Sequence, residues 1–237
     1  MTSPMIHVRD VHKSYHHGGR DVHALRGVDL DVAPGQLVVL TGRSGAGKTT
    51  LLSLLAGLRR PDHGTIEVAG RRVTDADETA LVELRRTTVG VVYQDFALLP
   101  LLTAEENVGL PLRITGVDPA TRDATVAGLL DRVGLAAHAG QRPDEMSGGQ
   151  QQRVAIARAL AIEPRVLLAD EPTAQLDSET GAQVMELLRG LVTEQGTTAL
   201  VATHDPAIEG FADRVVHLDD GRVEEQAAAT SAATAPR

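Results

Sequence analysis

Gly42, Gly47, Lys48 and Thr49 stand in the spacing G-x-x-x-x-G-K-T, a pattern whose chemistry is the cradling of phosphate. Backbone amides curl around negative oxygens only where side chains are small and unusual φ values cost little. Gly42, Gly45 and Gly47 supply that freedom, with Arg43, Ser44 and Ala46 between them. Lys48 then carries a positive charge to the outer phosphates of a nucleotide, and the Thr49 hydroxyl reaches Mg2+. The helix that opens with Lys48, Thr49 and Thr50 points its amide end at the same anion. The alternative is an ordinary glycine turn capping a helix. Against it, the chain has twenty-one arginines and only two lysines, Lys13 and Lys48, so lysine stands where a compact ammonium is needed although arginine dominates elsewhere.

A second constellation completes the chemistry. Val166-Leu-Leu-Ala-Asp170-Glu171 reads as an apolar strand that delivers Asp170 to its carboxyl end, where open α/β sheets bind ligands. Asp170 can hold Mg2+ through its water shell, and Glu171 can polarise a water for attack on a terminal phosphate. Alone, the segment would read as a strand ending in a solvated acidic turn. Further along, Ser147, Gly148 and Gly149 open a helix with two glycines and a hydroxyl, a small anion-binding end, or simply a helix cap.

The elements that must position these groups alternate. Ile6–Val11 and Leu25–Val32 suit strands around a polar turn at His16–Arg20, whose crowded histidines read as a solvated loop. Leu37–Thr41 is a β-branched, apolar run fit for a strand buried on both faces, followed by the loop and a helix over Lys48–Ala56. A hairpin around Gly70, a helix over Asp77–Arg86 and a buried strand Val89–Tyr93 follow. Helices then take over to about Leu160, with a capping box at Thr103–Glu106, Asp118-Pro119 as N-cap and first helical residue, and a resumption at Gly148. Strands return at Val166–Asp170 and Thr197–Ala202 around a helix from Ser178 to Thr193, and Arg214–Leu218 pairs with Arg222–Glu224. Gln226–Arg237, rich in Ala, Thr and Ser, has nothing large to bury and reads as a disordered tail.

Composition narrows the function. The 237 residues are enough for one substantial domain with an inserted lobe. Absence of cysteine excludes disulfides, thiolate metal sites and a cysteine nucleophile. A net charge of −9 and four aromatic residues argue against non-specific nucleic-acid binding and against attachment to anionic lipid. Met1–Asp10 has no apolar leader and no run approaches the ~20 residues of a membrane span. A cytoplasmic location is expected, with any membrane work done through a partner.

With both phosphate motifs in place, the intervening residues resemble a known family. Met146-Ser147-Gly148-Gly149-Gln150, running on through Gln-Gln-Arg-Val-Ala-Ile-Ala-Arg-Ala-Leu160, looks like the signature motif of ABC-type ATPases, about twenty residues ahead of Asp170-Glu171. Gln94 resembles that family's Q-loop glutamine, Asp177 its D-loop aspartate, His204 its switch histidine and Tyr15 the aromatic that stacks on adenine. The resemblance spans residues 5 to about 224 and is strongest to the branch serving lipoprotein release, macrolide-type efflux and cell division. It implies an α/β fold: a P-loop NTPase (RecA-like) core with an N-terminal antiparallel β region and an inserted α-helical lobe. Residues 1–225 would form the ATPase domain, the core being 1–94 and 161–225 and the lobe about 95–160, with 226–237 as the tail.

That resemblance also implies the machinery. Glu171, His204, Gln94 and Lys48 would be catalytic. Thr49, Gln94 and Asp170 would hold Mg2+, while Ser147, Gly148, Gly149 and Gln150 would meet the ATP bound by a second copy in a head-to-tail homodimer, with Asp177 in the nucleotide-binding set at the interface, coupling one site to the other. An integral membrane permease subunit from another chain would place the ATPase on the cytoplasmic face of the membrane. Its coupling helix would enter a groove formed by the helical lobe and the stretch Asp95–Leu101, where Ala97, Leu98, Leu99, Leu101 and Leu102 are apolar for a loop; the alternative is that these fold back onto the domain. Met146 stands where the family has leucine, a volume-conserving change, and Ala174 stands where the branch has glycine, which should stiffen the loop before Asp177. A soluble ATPase of the same fold, working in DNA repair or chromosome dynamics, would need long coiled-coil insertions, and a helical region of about 65 residues without sustained heptads does not provide them.

Overall fold

The computed structural model describes residues 3–17 and 20–224. Two sheets pack around a single helix. The larger has six strands in the order β10-β9-β3-β8-β7-β6, formed by Arg222–Glu224, Arg214–Asp219, Leu37–Thr41 (β3), Thr198–Thr203 (β8), Val166–Asp170 (β7) and Val89–Val92. All neighbours are parallel except β10, which closes one edge antiparallel to β9. The smaller sheet is antiparallel, in the order β2-β1-β4-β5, from Arg20–Val32, Ile6–His17, His63–Val68 and Arg71–Arg72.

Burial on both faces explains the unbroken apolar runs of β3, β7 and β8. Alternate side chains serve different cores. Val38, Leu40, Leu168 and Leu200 face helix α1 (Lys48–Leu55) and the antiparallel sheet. Leu37, Val39, Leu167 and Val201 face α5 (Gly148–Leu160) and α6 (Ser178–Gln195). A third cluster joins α3 (Ala104–Ile114), α4 (Pro119–Arg132) and the outer face of α5. Met146 is buried there and fills the place expected of a leucine. Helix α2 (Glu78–Thr87) lies on the edge, with Leu81 and Leu84 inward and Val82 exposed.

Several expectations change at their edges. The first two strands run past the expected turn, to His17 and from Arg20, which pair across the hairpin. The histidines placed in a solvated loop stand on those strands instead. His16 Nδ1 lies 2.7 Å from Asp21 and Ser14 Oγ 2.8 Å from His23 Nδ1; polar cross-strand pairs hold this ribbon, so no apolar alternation marks it. Strand β6 stops at Val92, leaving Tyr93 exposed. Ala174 does not take a positive φ, so the glycine it replaces is not required by the backbone. The tail expected at 226–237 lies outside the described residues. None of the described helices is long and apolar enough to cross a membrane.

Candidate nucleotide site

The loop between β3 and α1 wraps a cleft of about 900 Å3. Its glycines are forced by close approach. A Cβ on Gly42 would come within 2.1 Å of the Leu218 carbonyl oxygen, and one on Gly47, at φ 109°, within 2.4 Å of the Ala24 oxygen. The turn of β9–β10 braces the loop from behind, with Gly221 N–H donating to the Ala46 carbonyl at 3.1 Å. Gly47 occupies the N-cap of α1 without any side-chain bond. Each of the other five α-helices among the described residues carries a side-chain cap, from Asp77, Thr103, Asp118, Ser147 and Asp177. Helix α1 thus presents uncapped amides and the positive end of its dipole to the cleft.

Tyr15, Arg43, Ser44, Gly45, Ala46, Thr49, Thr50, Gln94, Glu171 and His204 line the same cleft. Tyr15 stands at its rim, with the Lys13 ammonium 5.7 Å and the Arg59 guanidinium 5.3 Å from its ring centre. Lys48 is only 6% exposed; its Nζ donates to the Gly42 oxygen at 2.7 Å and the Arg43 oxygen at 3.3 Å, and lies 3.5 Å from Glu171 Oε1. His204 meets the same carboxylate twice, Nδ1 at 2.9 Å from Oε1 and its backbone N–H donating to Oε2 at 3.3 Å. Glu171 holds a left-handed backbone, φ 48°, tied by its N–H to the Ala202 oxygen at 2.8 Å. Such a conformation in a non-glycine residue costs about 1–2 kcal/mol and aims the carboxylate back between Lys48 and His204.

Asp170 sits one layer deeper. Burial pushes its pKa up, opposed by a hydrogen bond from Thr49 and raised further by the neighbouring Glu171 charge. Its Oδ1 is buried with no described partner. A hydroxyl and an orphaned carboxylate oxygen side by side are hard oxygen donors of the kind Mg2+ takes. Because its folded-state pKa lies above the usual carboxylate value, Asp170 weakens the nucleotide-free fold fully above the raised value, and that penalty shrinks as pH falls through it and is gone below the unfolded-state value. D170N should therefore raise the thermal midpoint of the nucleotide-free chain at neutral pH, and the gain should shrink toward pH 4. Melting curves at both pH values check this.

The signature residues form a separate cleft of about 500 Å3, lined by Ser147, Gly148, Gly149, Gln150 and Asp177, among others. No residue lines both clefts. Ser147 and Gln150 close a reciprocal capping box on α5, Gln150 Oε1 accepting the Ser147 N–H at 2.8 Å. Asp177 caps α6, its carboxyl held below the usual range by hydrogen bonds from Thr180. Within one chain, then, Lys48, Thr49, Gln94, Asp170, Glu171 and His204 gather at one cleft, and Ser147–Gln150 with Asp177 at another.

A family model described as ABC transporter matches residues 25–174. The chain belongs to the ABC transporter family. As an ATP-binding cassette it is 45% identical over 226 residues to the lipoprotein-releasing system ATP-binding protein LolD 2 of Caulobacter vibrioides, covering 95% of this chain and 99% of that one. It is 44% identical over 233 residues to the pyoverdine export ATP-binding/permease protein PvdT of Pseudomonas entomophila, covering 97% of this chain. The cassette spans only 35% of that longer relative. Among solved structures, the dimeric post-hydrolysis state of the ATP-binding cassette MJ0796 bound to ADP and Pi superposes with a TM-score of 0.89 at 40% identity, over 94% of this chain and 98% of that one. The cassette is an ATPase of this kind.

Sequence reasoning missed the braces around the site. Gly221 supports the loop, and Pro206, Glu209 and His217 line the cleft wall. Arg158 of α5 donates to the carbonyls of Phe96 and Ala97, at 2.8 and 2.5 Å, two consecutive residues at positive φ. Nothing in the types Phe and Ala signals that conformation; the Asp-Gly pair at 220–221 was the one visible cue.

Proposed function

We propose that this cassette hydrolyses ATP to drive or regulate a separate membrane permease subunit, acting as a head-to-tail homodimer in the ATP-bound state on the cytoplasmic face of the membrane. One observation carries the ATPase reading: Lys48, Glu171 and His204 converge at the only uncapped α-helix N-terminus among the described residues. The loop amides and Lys48 would bind the β- and γ-phosphates. Tyr15 would stack on adenine. Thr49, Asp170 and Gln94 would hold Mg2+, which supplies neutralisation of phosphate charge when bound.

Glu171 would take a proton from water as the water oxygen bonds to the γ-phosphorus and the bond to the bridging oxygen of ADP breaks. His204 fixes that carboxylate from two directions and would donate to the γ-phosphate. Across the dimer, Ser147, Gly148, Gly149 and Gln150 would cover the partner copy's γ-phosphate, with Asp177 at the junction. The membrane subunit would seat a helix in the groove between the helical lobe and the stretch after Gln94, where Leu101 is 81% exposed.

H204A tests the arrangement. It should lower the rate of a single turnover about a hundredfold, in the range for a displaced general base, while fluorescent-nucleotide affinity changes less than threefold. Equal losses in both would assign His204 to binding instead.

A further inference from the structure

Tyr15 is flanked by two cations that the nucleotide cleft does not reach. The cleft is lined by Tyr15 but by neither Lys13 nor Arg59. Yet the Lys13 ammonium lies 5.7 Å and the Arg59 guanidinium 5.3 Å from the centre of its ring. A cation within about 6 Å of a tyrosine ring is drawn to the negative face of its quadrupole. The two cations are not equivalent. Lys13 is neutralised: its Nζ donates to Asp62 Oδ1 at 2.7 Å, and that bond holds the Asp62 carboxyl below its usual range. Arg59 makes no ion pair or side-chain hydrogen bond among the described residues. Its neighbour Arg60, by contrast, is tied to the Thr74 and Ala76 carbonyls at 3.3 and 2.7 Å. Among the described residues, the Tyr15 ring is the partner of the Arg59 charge.

The chain carries Arg59 to that place on short tethers. Leaving helix α1, the Arg59 N–H donates to the Ser53 carbonyl at 3.3 Å. Asp62 then ties the segment to β1 on the residues beside Tyr15. Its N–H donates to the His12 carbonyl at 2.9 Å, and its Oδ2 accepts the Ser14 N–H at 2.6 Å, next to the bond from Lys13. Pro61 fixes one more backbone angle between Arg59 and Asp62. Helix α1 therefore serves the cleft twice. Its uncapped N-terminus faces the interior, and the segment beyond its last turn braces the tyrosine at the rim.

We propose that Arg59 is a positioning residue for the nucleotide's purine base. It holds the Tyr15 ring from the side away from the cleft, so that the ring offers its other face to the base. This rests on the reading that Tyr15 stacks on adenine. A partly exposed ring loses rotamer freedom when a base settles on it, and a cation that already fixes the ring removes part of that cost beforehand. Arg59 acts through Tyr15, so its effect follows the base and not the phosphates.

Calorimetric titration of the full-length chain with Mg2+ and ADP, which does not turn over, separates the roles. R59Q should weaken ADP binding about threefold, the size of one exposed cation–ring contact. R59K restores a cation and should recover most of that loss. Base-free ribose 5′-diphosphate should bind R59Q and wild type alike. R71Q, removing an exposed charge elsewhere, should bind ADP as wild type does. Y15A, or Y15L should the first fold poorly, should weaken ADP about tenfold through lost stacking, and R59Q added to it should cost nothing more. The chain has two tyrosines and no tryptophan, so tyrosine emission in a Y93F background comes from Tyr15 alone. ADP should quench it, ribose diphosphate should not, and R59Q should shift the ADP midpoint by the same factor of about three. ADP binding unchanged by R59Q overturns the proposal. So does an equal loss for ADP and ribose diphosphate, which would assign Arg59 to the phosphates. A loss that persists in the Y15A chain overturns it too, by setting Arg59 on the base itself. Each of these leaves stacking on Tyr15 intact, whereas ADP affinity unchanged in Y15A overturns both.

Discussion

E171Q is expected to be monomeric without nucleotide and to dimerise with ATP, but not with ADP. Glutamine preserves the shape of Glu171 while removing the carboxylate that would take the proton from water, so hydrolysis slows while Lys48, Thr49 and Asp170 still hold the nucleotide. Ser147–Gln150 and the phosphate loop line different clefts of one chain. In the proposed head-to-tail dimer, the γ-phosphate would bridge them between chains. Ligand that binds the dimer alone stabilises it by linkage, and slow turnover lets it accumulate. Light scattering across a range of ATP and protein concentrations reads the result. S147E in the E171Q background should return the chain to monomer by setting a carboxylate against the phosphate. A dimer indifferent to S147E would sink the composite site; a monomer at every ATP concentration would sink it too, unless adding the membrane subunit restores nucleotide-dependent pairing.

Most of the core was legible because its signals are local. β3 and β7 are bounded as the apolar runs suggest, since a strand buried on both faces has no reason to alternate. Caps at Asp77, Thr103, Asp118 and Ser147 declare helix starts through single side chains. The first hairpin was under-read because its outer half is held by histidine, aspartate and serine pairs, which carry no hydrophobic period. In the site, residue types announced the loop and the Asp170-Glu171 pair. They could not announce that Glu171 takes a left-handed backbone or that His204 grips it twice, because those depend on β7 and β8 lying side by side. Of the apolar residues after Gln94, Ala97 and Leu99 line a groove together with Arg85, Arg86 and Arg158, which come from two helices about seventy residues apart and meet only in the fold.

The second large effect concerns Lys48. K48A should abolish measurable turnover, a loss of at least about a thousandfold, because the charge facing the phosphates disappears along with its stabilisation of the transition state. A stability signature should accompany it without nucleotide. Lys48 and Glu171 are both buried, 6% and 9% exposed, and their charged atoms lie 3.5 Å apart. Removing the lysine leaves Glu171 buried with His204 as its remaining described partner, and stranding a buried charge costs about 3–5 kcal/mol where the pair is fully enclosed. The open cleft admits water, so the loss here should be smaller, about 1–2 kcal/mol. E171Q also breaks the pair but neutralises its own end, so adding it to K48A should recover part of that loss. The double variant should then be more stable than the two single changes add up to, a coupling that denaturant titration of all four chains would resolve. Strict additivity would mean that the two groups do not interact in solution. Near-normal hydrolysis by K48A would remove the phosphate-loop assignment itself, since no other lysine or arginine among the described residues lies within the loop's fold at the buried position Lys48 holds.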